Sequence, residues 1–292
     1  MNSGPANVMN RDDELLAQAE SVVYKQLEGD VELKAHVYFP AGERIGGKRP
    51  AMLFFFGSGF DSGSITQFAP QALYFASRGA VTVLIDYRTA NKHGASPIEA
   101  MQDARSAIRW VRFYSQPLGV DPDRVVAVGA LAGATIAAAA AMKTDLIDDE
   151  TDPGEIEGRP NGLVLFNPMI EVTKGGYASD LFVKNDVHLK TAALPNHIDF
   201  NLPPMLILHG MSSPLTPSAT VEKFVKSMRK KRNHCEFIPF PGRQHSFFNL
   251  NVDPWSYDYC NSEIDRFLVG EGFLNASVEV DESDLGEVRE IS

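Results

Sequence analysis

Residues 125–135 read Val-Val-Ala-Val-Gly-Ala-Leu-Ala-Gly-Ala-Thr, and few local patterns restrict a chain so tightly. An unbroken apolar run of this length is a strand buried on both faces. The small residues Gly129, Ala130, Ala132 and Gly133 leave room for a sharp reversal, and the alanine run Ala137 to Ala141 behind them is an excellent helix former that lets a helix sit close to a sheet. Strand, tight turn and helix in immediate succession open a crossover unit of a parallel sheet. The tip of that turn is Leu131, whose methyl-ended side chain can neither attack a carbonyl nor share a proton.

The remainder of the chain keeps the same alternation. Val22 to Leu27 and Val31 to Phe39 read as strands joined at Gly29-Asp30, an antiparallel entry hairpin whose second strand alternates through Val31, Leu33, Ala35, Val37 and Phe39. Strands are then expected at 51–56, 81–86, 125–128, 163–166, 205–208 and 236–240, with helices near 71–77, from 96, and at 135–142, 220–230 and 256–268. The helix at Ser96 opens on a capping box, Ser96-Pro97-x-Glu99, and carries Met101, Ala104, Ile108 and Val111 at helical spacing. The fold class is α/β: a mainly parallel, doubly wound sheet with an antiparallel N-terminal hairpin. One domain is expected over 21–274, with an extension at 1–20, a small loop-rich cap near 171–201 over the carboxyl edge, and an acidic, disordered tail at 275–292.

The 292 residues carry a net charge of −11, and its distribution matters. Residues 144–158 hold seven acids and no base, residues 276–292 six acids against Arg289, so the rest of the chain is close to neutral. No nucleic-acid partner is expected, because the sole basic cluster, Arg229 to Arg232, sits at a helix C-terminus where cations are favoured anyway. Cys235 and Cys260 form no disulfide framework, and the first twenty residues contain no signal-peptide core. No stretch approaches the ~20 apolar residues of a membrane span, so a membrane partner is not expected and the protein is read as cytoplasmic. The histidines lack the helical spacing of a metal pair and the Gly129–Gly133 turn is no phosphate loop, so neither a metal nor another cofactor is expected.

Six segments together resemble one family over about Val31 to Leu274. Phe54-Phe55-Phe56-Gly57-Ser58-Gly59-Phe60, followed by Gly63, resembles a His-Gly-Gly-Gly oxyanion loop, with Phe56 at the histidine place and Ser58 at a glycine. Asp86-Tyr87-Arg88 and Asp121-Pro122-Asp123-Arg124 resemble the strand end and the elbow approach of the same group. Gly129-Ala130-Leu131-Ala132-Gly133 is similar to the Gly-x-Ser-x-Gly nucleophile elbow in every position but the serine. His209-Gly210-Met211-Ser212-Ser213-Pro214-Leu215-Thr216-Pro217 and Pro241-Gly242-Arg243-Gln244-His245 resemble the segments that deliver the triad's acid and base. The chain thus resembles the α/β-hydrolases, in the acetyl-esterase and hormone-sensitive-lipase-like branch that includes feruloyl and acetylxylan esterases.

That resemblance implies an α/β-hydrolase fold with Leu131 at the nucleophile place, Ser213 at the acid place, His245 at the base place, and Gly57, Ser58, Gly59 and Ala132 around the oxyanion. Only His245 keeps a group able to do its work. In subtilisin, loss of the serine alone costs about 10⁶-fold in turnover. The leading expectation is therefore a pseudo-hydrolase with a binding or regulatory role and a remnant cleft for a small molecule. The alternative is residual or unconventional hydrolysis through His245 and the oxyanion loop. A third reading uses the acidic insertion 145–157 or the tail as an interaction surface. Two further expectations concern local structure: that Leu131 either keeps the strained bend of an elbow or relaxes it and fills the pocket floor, and that the Ser213 hydroxyl can accept from His245.

Overall fold

The computed structural model describes residues 11–276 apart from 43, 45, 143, 145–146, 173–174, 176–177 and 185–187; the acidic tail therefore lies outside the described residues except for its first two positions. In chain order the elements are α1 (Arg11–Leu16), β1 (Glu20–Gln26), β2 (Glu32–Tyr38), β3 (Arg49–Phe55), α2 (Ala69–Ser77), β4 (Val81–Ile85), α3 (Ala90–His93), α4 (Pro97–Phe113), α5 (Ser115–Leu118) and β5 (Val120–Ala130). There follow α6 (Ala132–Ala141), β6 (Gly162–Phe166), α7 (Ser179–Lys184), α8 (Leu189–Ala192), β7 (Met205–Gly210), α9 (Ser218–Lys230), β8 (Cys235–Phe240) and α10 (Pro254–Gly270).

The sheet runs β1-β2-β4-β3-β5-β6-β7-β8. β1 and β2 are antiparallel to their neighbours and every pairing from β4 onward is parallel. Side chains alternate between two cores, as a period of two requires. Leu53, Phe55, Ala127, Leu165 and Ile207 enter one, which α4, α6 and α9 cover. Phe54, Val128, Phe166 and Leu208 enter the other, beneath α2 and α10. Continuous apolar strands are explained by this double coverage.

The Ser96 capping box is present: Ser96 Oγ accepts the Glu99 N–H and Glu99 Oε2 accepts the Ser96 N–H. Met101, Ala104, Ile108 and Val111 are all buried, as their spacing implies. Every residue of α6 is buried, so its small side chains do bring the helix against the sheet.

Differences from the sequence reading have local causes. Val31 is exposed rather than part of the apolar stripe, because β2 begins one residue later. β5 starts five residues before the apolar run, since Val120 already pairs with Arg49 and the register shifts past the charged Asp121–Arg124. α10 begins at Pro254, a favoured first helical residue, with Asp253 accepting the Ser256 N–H. Residues 11–16, read as part of an extension, are docked on the domain. Leu15 and Leu16 pack on the second core, Asp12 bonds to Thr66 at 2.7 Å, and Tyr38 Oη donates to Leu15 C=O. The stretch 171–201 contributes α7, α8 and a short 3-10 turn, and Phe182 of α7 meets Phe60 edge-on at 5.4 Å beside the loop that follows β3.

Candidate active site

Leu131 stands at the junction of β5 and α6 with φ 48° and ψ −115°. This is a region that residues bearing a Cβ populate rarely and at a cost of about 1–3 kcal/mol, so the bend is kept, not relaxed. The flanking glycines explain how: a Cβ on Gly129 would stand 2.3 Å from Gly133 O, and one on Gly133 would stand 2.2 Å from Phe55 O. Leu131 N–H donates to Phe166 C=O at 3.0 Å, and Leu131 C=O accepts from the Thr135 N–H at 3.0 Å. The side chain itself is buried.

The oxyanion loop leans on the elbow. Ala132 N–H, the amide that follows the nucleophile place, donates to Ser58 C=O at 3.1 Å. Gly57 N–H donates to Gln67 Oε1 at 2.5 Å. Ser58 Oγ accepts the Phe60 N–H, at a residue with φ 70°. Gly59 is buried beneath the same turn. Phe56, at the histidine place, stacks on Tyr87 with ring centroids 4.1 Å apart, and Tyr87 Oη donates to Phe56 C=O. Burial pushes the Tyr87 phenol well above its ordinary range, so it is a fixed donor.

Ser213 is brought close to the His245 segment without bonding the ring. Its Oγ shares a hydrogen bond with Thr216 Oγ1 at 2.9 Å and accepts the Thr216 N–H, which corrects the expectation that it serves His245. The two loops are back to back: Ser212 N–H donates to Arg243 C=O at 2.9 Å, and a Cβ on Gly210 would lie 2.2 Å from Gln244 O. His245 is half-buried, and its Nδ1 is buried without a hydrogen-bond partner among the described residues. Nearby His209 is fully buried; burial pushes its imidazole down to about 4, opposed only weakly by the Thr216 backbone.

Asn167 was not singled out in the sequence, although Asn-Pro behind an apolar strand is a turn signal. It is fully buried at φ 45°, accepts the Gly210 N–H through Oδ1 and donates to His245 C=O through Nδ2, both at 2.9 Å. Gln67 and Thr216 were missed for a plainer reason: their roles depend on partners ten and three residues away in loops whose shape no periodicity encodes.

Part of the acidic insertion is engaged by the domain, while Glu150 and Glu155 are exposed. Asp148 and Asp152 pair with Arg109, Asp148 also with Arg105, and Asp149 with Lys25. Burial raises the Asp149 carboxyl, but the hydrogen bonds from Lys25 and Thr151 outweigh it and hold that group well below the usual range. A hollow of about 240 Å³ beside the oxyanion loop is lined by His36, Phe56, Asp61, Asp86 and Lys92, with none of Leu131, Ser213 or His245 in its wall.

A strained elbow, a glycine-bearing loop after β3 and a histidine loop after β8, all at the carboxyl edge of this sheet, define an α/β-hydrolase scaffold. The family model of the α/β hydrolase fold matches residues 52–194, and the chain belongs to that family. Esterase 2 of Thermogutta terrifontis, solved phosphoramylated by tabun, is 38% identical, with a TM-score of 0.85 over 90% of this chain and 98% of that one. Carboxylesterase NlhH of Mycobacterium tuberculosis is 27% identical over 69% of this chain and 66% of its own. Endo-1,4-beta-xylanase B of Butyrivibrio fibrisolvens is 24% identical over 72% of this chain but only 34% of its own. The chain thus spans about a third of the length of the xylanase, and about a third of esterase LipI of Mycobacterium tuberculosis. Among the described residues no helix is long and apolar enough to cross a membrane.

Proposed function

We propose that this α/β-hydrolase-fold protein does not cleave esters through a serine nucleophile and uses its remnant site for ligand binding or regulation. The observation that carries this reading is the aliphatic Leu131 at the tip of a bend that is still strained. Two engaged groups support it: the Ala132 amide, which should stabilise an oxyanion, is spent on Ser58 C=O, and the Ser213 hydroxyl is spent on Thr216. The Thermogutta esterase is also known phosphorylated by paraoxon, which supplies the test. Intact-mass measurement after paraoxon treatment is expected to find this chain unmodified, and p-nitrophenyl acetate turnover is expected to equal that of a His245→Ala control. A paraoxon adduct, or turnover well above the control, would sink the proposal.

A second reading is favoured by one feature, the unpartnered Nδ1 of His245, together with the esterase relatives. In it the imidazole polarises a water toward a bound ester or thioester. A bell-shaped or sigmoidal pH–rate profile lost in His245→Ala would support this, and no turnover across an ester, lactone and thioester panel would remove it.

A further inference from the structure

We infer that Asn167 is a positioning residue that sets where the His245 imidazole stands. In a working triad the carboxylate orients the imidazole through Nδ1. Here Ser213 is turned to Thr216 and Nδ1 of His245 meets no partner among the described residues. The ring is therefore placed through its own backbone, and the polar tie at that residue is Asn167 Nδ2, which donates to His245 C=O at 2.9 Å. The other end of the same amide accepts the Gly210 N–H at 2.9 Å, and the Asn167 N–H donates to Leu208 C=O at 3.1 Å. One side chain thus reaches from the end of β6, across the end of β7, to the loop beyond β8. Its neighbour Phe166 receives the Leu131 N–H, so two consecutive residues bond directly to the nucleophile place, the base place and Gly210, three residues before the acid place.

The chemistry required is that of an amide. A donor must face His245 and an acceptor Gly210 at equal reach. A carboxylate offers two acceptors, a hydroxyl is too short, and glutamine adds a methylene. Asparagine also tolerates φ 45° better than most residues. Closing an Asn-Pro turn needs neither amide end, whereas placing the next loop needs both. This assignment holds whether the site is silent or active, and its test reads the imidazole, not ester cleavage.

Asn167→Asp is nearly isosteric, keeps the acceptor toward Gly210 and replaces the donor toward His245 with a second acceptor. The measurement is the NMR titration of the His245 ring in the full-length protein, with amide hydrogen exchange at Gly210 and at Asn249, whose N–H donates to Ser246 C=O in the same loop. At neutral pH, Gly210 protection is expected to persist while the His245 ring signals shift and Asn249 exchange rises about fivefold, the equivalent of one net hydrogen bond. Both changes are expected to reverse as the introduced carboxyl, its pKa raised by burial, gains a proton and becomes a donor. Asn167→Ala is expected to displace the ring with no such reversal. Ring signals and exchange identical to the native protein in both variants would overturn the inference. Loss of Gly210 protection in Asn167→Asp without acid rescue would also overturn it, since Asn167 would then be a strut of the fold alone.

Discussion

The Ala132 amide donates to the Ser58 carbonyl at 3.1 Å, so the backbone N–H that follows Leu131 is engaged by the loop after β3. Restoring the missing side chains is therefore expected to restore activity only in part. Leu131→Ser alone should stay inactive, because Ser213 supplies no charge to hold the imidazolium that forms. Leu131→Ser with Ser213→Asp should hydrolyse p-nitrophenyl acetate, at about 10²- to 10³-fold below an ordinary esterase, the loss that follows removal of one oxyanion donor. Turnover of the double variant must vanish on adding His245→Ala.

Strain at the elbow makes an inverted stability order. Leu131→Ala loses apolar burial and keeps φ 48°, whereas Leu131→Gly loses one methyl more but adopts that backbone freely. Glycine is expected to be the more stable of the two by about 1–2 kcal/mol, within the range of strain stored at such positions. Urea unfolding with unchanged slope measures it. An alanine variant equal to or more stable than glycine would show that the bend carries no strain.

Acid should weaken the fold through His209. Its imidazole is fully buried with a folded pKa depressed to about 4 from the ordinary 6.5. Between those values the unfolded chain binds a proton that the folded one does not, so stability falls as pH drops from about 6.5 to 4 and levels off below. The full loss is about 3 kcal/mol at 1.36 kcal/mol per pKa unit. Denaturation midpoints across this window should flatten in His209→Asn.

Two ion pairs should respond very differently to truncation. Asp103 is fully buried, accepts from the backbone N–H, Nε and Nη2 of Arg88, and lies 3.1 Å from Lys25. Asp103→Ala removes the fully buried carboxylate between Lys25 and Arg88 and leaves them only the partly exposed Asp149 and Glu99, a change expected to cost about 3 kcal/mol. Glu236→Gln breaks the pair with the half-exposed Arg266 and should cost less than about 1 kcal/mol. Comparable losses in the two variants would count against this account of the buried network.

The parallel strands were legible because burial on both faces writes an unbroken apolar run, and the capping box because its partners lie three residues apart. The charged start of β5 was not, since pairing with Arg49 and not its own polarity keeps it in the sheet. Ser213 shows the same limit within the site: its identity is in the sequence, but its choice of Thr216 over His245 is a matter of loop shape.

From residue order alone came the α/β class, the elbow's glycines and the aliphatic side chain at its tip, all of which follow from short-range sterics and periodicity. Tertiary structure decided the long-range ties: the Ser58 carbonyl on the Ala132 amide, the Asn167 clamp on His245, and the arginines that pair with Asp148 and Asp152 of the acidic insertion. Hydrogen bonds and ion pairs between groups tens of residues apart depend on how strands are stacked, and no local pattern records that distance.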